Sequence, residues 1–146
     1  AVMYTITPEA LSANGIDPLR IPGSLHAAEH AAIGLLPLVA SCDRGDIGGL
    51  SMAIGPGGLP TVFVYDGHPG GAGFADRGYR QATTWLGATL EAISACECRT
   101  GCPSCVQSPK CGNGNDPLDK PGAIAVLRTV LAALEVGRPL DGRSPA

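Results

Sequence analysis

The chain has 146 residues, one domain's worth: enough to bury a single core, too few for a multidomain enzyme. With 45% hydrophobic and 16% charged residues it is too apolar to be disordered, and its 21 glycines and 13 prolines predict tight turns and long loops between a few solid elements. A net charge of −3 excludes a strongly basic nucleic-acid module, so any contact with phosphate has to come from a local patch.

In chain order, Ala1-Val2-Met3 has neither an initiator methionine nor a basic leader and is expected to open a mature protein or, preferably, an excised fragment. Residues 2–6 are β-branched and aromatic and stop at Pro8, which predicts a short strand. A loop with Asn14, Gly15, Pro18, Pro22 and Gly23 follows. Ser24 then caps a mostly buried helix through Leu25, Ala28, Ala32, Leu35, Leu36 and Val39, which Pro37 kinks or ends a turn early. Residues 48–54 and 61–66 read as strands joined by a turn over 55–60. From about 72 to 96, Tyr79, Ala82, Leu86, Leu90 and Ile93 mark one face of a second helix. A third runs over about 120–136, with Asp119 as cap, Pro121 in its first turn, and Ile124, Leu127, Leu131 and Leu134 along its inner side. The expectation is an α+β fold: a small antiparallel sheet of three strands covered by three helices, with a four-cysteine zinc loop over 96–112. One domain spans 1–137, and 138–146 form a flexible tail. No apolar run reaches the roughly 20 residues of a membrane span, and a cytoplasmic location is expected.

The strongest chemical signal is Cys96-Glu-Cys98-Arg-Thr-Gly-Cys102-Pro-Ser-Cys105, with Cys111 following. Five cysteines this close, without a signal peptide, favour a metal over disulfides. Thiolates suit Zn²⁺, and the spacing Cys98, Cys102, Cys105, Cys111 lets one loop wrap a single structural ion. Cys96 and Cys98, two apart, are expected to diverge, to opposite sides in a strand or by about 200° at a helix end. Cys98 is therefore taken as the ligand and Cys96 as a thiol packed beside the site. Cys102-Pro-Ser-Cys105 alone also fits a thioredoxin-type dithiol, but such a pair opens a helix after a strand and needs no companions.

The run from Gly101 through Cys-Pro-Ser-Cys-Val-Gln-Ser-Pro-Lys-Cys-Gly-Asn-Gly to Asn115, continuing to Leu118-Asp-Lys120, resembles the MrfA-type zinc-binding domain at the C-terminus of superfamily 2 DExH-box DNA helicases. His26-Ala-Ala-Glu-His-Ala-Ala32, Cys42-Asp-Arg-Gly-Asp-Ile-Gly-Gly49 and Tyr65-Asp-Gly-His-Pro-Gly-Gly-Ala-Gly73 are similar to it as well, so the resemblance covers roughly residues 20–136. It implies a four-cysteine zinc site and an accessory role in an ATP-dependent 3′-to-5′ helicase of DNA repair. The partners it implies are the motor domains of the same polypeptide and single-stranded DNA. These 146 residues contain no GxxxxGK[ST] loop and no DExH box, so ATP enters only through a motor outside them, and the chain is not expected to be an enzyme by itself.

His26-x-x-Glu29-His30 on a helix matches an inverted zincin, so a free-standing zinc hydrolase is the alternative, with Glu29 as base and Glu91 as third ligand. The preferred reading is buried polar packing. In the loop 65–73, glycines permit positive φ, with Asp66 and His68 bonding to backbone, while a phosphate or motor-docking role is the other reading. Asp43, Arg44 and Asp46 are read as turn and ion-pair residues, and Trp85 as core or interface. Arg77, Arg80, Arg99 and Lys110 are the candidate DNA contacts, the last two also as neutralisers of the thiolate charge.

Overall fold

Strands Val2–Thr5 (β1), Ile47–Met52 (β2) and Thr61–Asp66 (β3) form an antiparallel sheet in the order β1-β3-β2 in this computed structural model, which describes residues 2–43, 46–67, 73–98, 101, 102, 105–107, 111, 115 and 117–135. The register pairs Val2 with Val64 and Ile47 with Asp66, so the alternation of side chains sorts the sheet into two faces. Val2, Tyr4, Ile47, Val62 and Val64 are buried against the helices. Met3, Phe63 and Leu50 stand in one row across the other face, with Met52 and Tyr65 beside them.

A helix that the sequence reading left as loop follows β1. Pro8–Ala13 (α1) begins at Thr7, whose hydroxyl accepts from Ala10 N–H at 3.1 Å, with Pro8 in the first turn. Proline there starts a helix as readily as it stops a strand. The next helix, Ile21–Leu35 (α2), begins earlier than expected because Pro22 also fits a first turn. Ser24 is not its cap: it lies inside the helix and donates to Arg20 O at 2.7 Å. Pro37 turns the end into a short 3₁₀ turn, Leu36–Leu38.

From Gly23 to Ala32 every residue of α2 is buried, so this helix is the axis of the domain rather than a cover on the sheet. It packs on β2, β3 and the helices over residues 82–95 and 120–135. The expected second helix is two, Phe74–Arg80 (α3) and Ala82–Ala95 (α4), broken at Gln81 (φ −115°, ψ 34°). The break seats Trp85 in the core, its Nε1–H donating to Ala32 O at 2.7 Å, while Gly78 lies against Leu36. Lys120–Glu135 (α5) begins as expected at Asp119, whose carboxylate accepts from Gly122 N–H at 2.8 Å. Two glycines let α2 and α5 approach: a Cβ at Gly122 would collide with Ser24, and one at Gly23 would press on Asp119 at 3.3 Å. The architecture is α+β as expected, with five α-helices among the described residues rather than three. The tail expected over 138–146 lies outside the described residues.

Candidate metal centre

Helix α4 ends at Ala95, and Cys96 leaves it in extended conformation (φ −70°, ψ 128°). In extended backbone, residues two apart share a face, so the expected divergence of Cys96 and Cys98 does not occur. Their sulfurs lie 3.5 Å apart. Three further separations are 3.5 Å for Cys96–Cys102, 3.4 Å for Cys98–Cys105 and 3.8 Å for Cys102–Cys105, and all four sulfurs lie within 4.8 Å of one another. A tetrahedral ion with Zn–S bonds of about 2.3 Å has edges of about 3.8 Å, so this donor set fits Zn²⁺ with little adjustment. No two of these sulfurs lie at the roughly 2.05 Å of a disulfide.

Of the four cysteines read from spacing, Cys98, Cys102 and Cys105 come together, while Cys111 is replaced in the cluster by Cys96. Cys102 and Cys105 are held by a tight turn in which Cys105, Val106 and Gln107 N–H all donate to Cys102 O, at 3.0–3.2 Å.

Lys120, at the first position of α5, is a functional residue that the sequence reading missed. It is buried, and its ammonium donates to Cys96 O at 2.8 Å, Cys98 O at 2.6 Å and Cys98 Sγ at 3.2 Å. Four thiolates around one Zn²⁺ leave a net charge of −2, and this cation answers half of it from inside the fold. Burial acts to lower the Lys120 pKa, but the bond to Cys98 and the charges of Cys98, Cys105 and Cys96 outweigh it and raise it. Burial acts in the opposite sense on the Cys98 thiol, raising it, yet bonds to Cys105 and Lys120 bring it down to about 6. The sequence signals for Lys120 are its place one residue after a helix cap and its position at the end of the family-like run Leu118-Asp-Lys120.

The histidines of α2 stand one turn apart, ring centroids 4.2 Å from each other, and both are buried. Nδ1 of His26 lies 2.7 Å from Pro117 O, and Nδ1 of His30 lies 2.8 Å from Val106 O. Cys111 joins them, its Sγ 3.5 Å from His26 Nε2. Glu29, the base of the hydrolase alternative, instead reaches β2: Ser51 hydrogen-bonds its carboxylate, and Gly49 leaves room for it. Burial pushes its carboxyl up to about 7, against the lowering effect of Ser51. Glu91, the third ligand of that alternative, lies exposed on α4.

Among the candidate DNA contacts, Arg77 and Arg80 are exposed on α3, where Arg80 pairs with Asp76 at 2.9 Å. Arg99 and Lys110 lie outside the described residues, as do His68 and Arg44. Asp66 does bond to backbone, accepting from Gly73 N–H at 2.8 Å and Ala75 N–H at 2.9 Å at the start of α3, and Gly73 has the positive φ of 80° that the loop reading required. Asp46 accepts from Asp43 N–H at 2.9 Å as a turn residue.

The MZB family, described as the MrfA Zn-binding domain, matches residues 28–106, more than half of the chain. Uncharacterized protein MJ1572.1 of Methanocaldococcus jannaschii is 38% identical over 112 residues, covering 74% of this chain and 100% of that protein. The uncharacterized ATP-dependent helicase YprA of Bacillus subtilis is 37% identical over 73 residues, 49% of this chain and 10% of YprA. The crystal structure of DUF1998 helicase MrfA bound to DNA matches with a TM-score of 0.64 and 28% identity, over 79% of this chain and 15% of that one. The chain therefore spans only a small part of the helicases it resembles, while it matches MJ1572.1 from end to end. All four clustered thiols fall inside the matched segment, and on these grounds the chain belongs to the MrfA Zn-binding domain family.

Proposed function

We propose that this chain is a zinc-binding accessory module of an ATP-dependent DNA helicase, with one structural Zn²⁺ held by Cys96, Cys98, Cys102 and Cys105. The observation that carries this reading is the four-thiol cluster, at the spacing of a zinc tetrahedron and inside the family segment. A closed four-sulfur site has no open position for substrate, so the ion's contribution is to fix the loop between α4 and α5. Lys120 ties that loop to α5, and α5 to the axial helix through Gly23 and Gly122. The module thus becomes a rigid block that a motor can push against.

The motor domains of the same polypeptide supply ATP hydrolysis and 3′-to-5′ movement in DNA repair. They cover the outer sheet face, where Met3, Leu50, Met52 and Tyr65 are exposed around Phe63. Arg77 and Arg80 are the described residues that guide single-stranded DNA, with Arg99 and Lys110 as further candidates. Six cysteines outside any disulfide suit the reducing cytoplasm.

The test is strand separation by the helicase carrying this module, alongside its zinc content. Cys105→Ser should lower zinc and unwinding together. Full unwinding by a protein that has lost the four-thiol zinc would overturn the proposal.

A further inference from the structure

The donors on α2 form a second group that the four-thiol site does not use. Both His26 and His30 present Nδ1 to a backbone carbonyl, which can only accept, so Nδ1 carries the proton in each neutral ring and the lone pair falls on Nε2. This is how metal-binding histidines are commonly oriented, with the far nitrogen anchored to a carbonyl or carboxylate. Cys111 Sγ meets His26 Nε2 at 3.5 Å. One donor atom from each of the three residues lies within 4.8 Å of the others. For a tetrahedral zinc with bonds of about 2.0 Å to nitrogen and 2.3 Å to sulfur, the nitrogen–sulfur edge is about 3.5 Å. The two rings stand close, at 4.2 Å, as two ligands one helical turn apart would.

We propose that His26, His30 and Cys111 form a second zinc site, separate from the four-thiol cluster. Three protein donors leave the fourth corner of the tetrahedron to a water or an external ligand. The carbonyls of Val106 and Pro117 that orient the rings flank Cys111 in the chain, so the ion would pin the stretch after the four-thiol turn onto the axial helix. His26 and His30 are 8% and 4% exposed, which keeps the donors desolvated for an ion without closing the site entirely.

The test uses the whole chain, loaded with excess Zn²⁺, freed of loose metal and assayed by elemental analysis. About two zinc ions per chain are expected, falling to about one in Cys111→Ser. Cys105→Ser reports on the four-thiol site alone, so failure of one assignment is distinguishable from failure of the other. Titration of the wild-type chain with Co²⁺ removes any dependence on a variant's folding. The first equivalent should give the intense charge-transfer band of a four-thiolate site, and the second a much weaker thiolate band with tetrahedral ligand-field absorption. Saturation at about one equivalent with a purely four-thiolate spectrum would overturn the proposal and leave a hydrogen-bonded trio. So would a Cys111→Ser chain that keeps both ions.

Discussion

Replacing Lys120 by Met keeps most of the side-chain volume and deletes all three donors. The carbonyls of Cys96 and Cys98, now at 2.8 and 2.6 Å from the ammonium, then lose a charged partner inside the fold. Each such bond contributes about 1.5–3 kcal/mol, so the loss is about 3–6 kcal/mol before the buried thioether recovers part of it by packing. A net destabilisation of about 3 kcal/mol corresponds to a fall of about 10 °C in Tm for a domain of this length. The thiolate cluster also loses its nearest buried cation, which should weaken zinc binding by about 10- to 100-fold. Thermal melting of the zinc-loaded chain and competition against a chromophoric chelator measure the two effects separately. A Lys120→Met chain that melts within about 2 °C of wild type and holds zinc equally well would refute the assignment of Lys120 to the site.

Chelation, or Cys105→Ser, should lower Tm sharply, since a structural zinc contributes on the order of 10 kcal/mol of folding free energy in small domains; an unmoved melting curve after verified zinc removal would refute the site. Asp119 is held below the usual carboxylate range, chiefly by its bond from Arg20 at 2.7 Å and further by Gly122 N–H, with burial opposing. Its folded pKa lies below the unfolded value, so its stabilisation is present above the ordinary carboxylate range and is lost as pH falls through the depressed value. Denaturant titrations should therefore show Asp119→Asn less stable than wild type near pH 7, with the gap closing as pH falls below the ordinary carboxylate range. Gly122→Ala should cost about 1–3 kcal/mol by forcing α5 away from Ser24, read as a lower midpoint at unchanged slope. The chain alone should bind single-stranded DNA more weakly than roughly 10 µM at physiological salt. Nanomolar binding abolished by Arg77→Glu with Arg80→Glu would overturn the scaffold reading.

The fold was legible where a residue's effect is local. The β3 run Thr-Val-Phe-Val-Tyr-Asp is dense in β-branched and aromatic residues, and Asp119 precedes an amphipathic run, so both elements lie where expected. The misses have two causes. Proline at the start of a helix and proline at the end of a strand leave the same mark in sequence, which hid α1 and shifted the start of α2. The break at Gln81 has no local signal, because Tyr79, Leu86, Leu90 and Ile93 keep their helical spacing across it. The break goes with the seating of Trp85 under Ala32, a contact 53 residues distant in the chain.

The metal centre shows the same division more sharply. Cys98, Cys102 and Cys105 follow from spacing because a turn of a few residues decides them. The divergence expected of Cys96 and Cys98 fails because the helix stops one residue before Cys96, and in extended backbone residues two apart turn to one side rather than to opposite sides. Cys111 looked like the fourth ligand because it is next in sequence, yet it sits beside His26, 85 residues away. Lys120 reaches back 22 and 24 residues to the carbonyls of the same cysteines. In each case the axial helix or its neighbour α5 supplies the partner, and that pairing depends on how closely α2 and α5 cross. The glycines at 23 and 122 set this approach. They carry no chemistry of their own, but by bringing α5 against α2 they hold Lys120 at the thiols and Pro117 at His26.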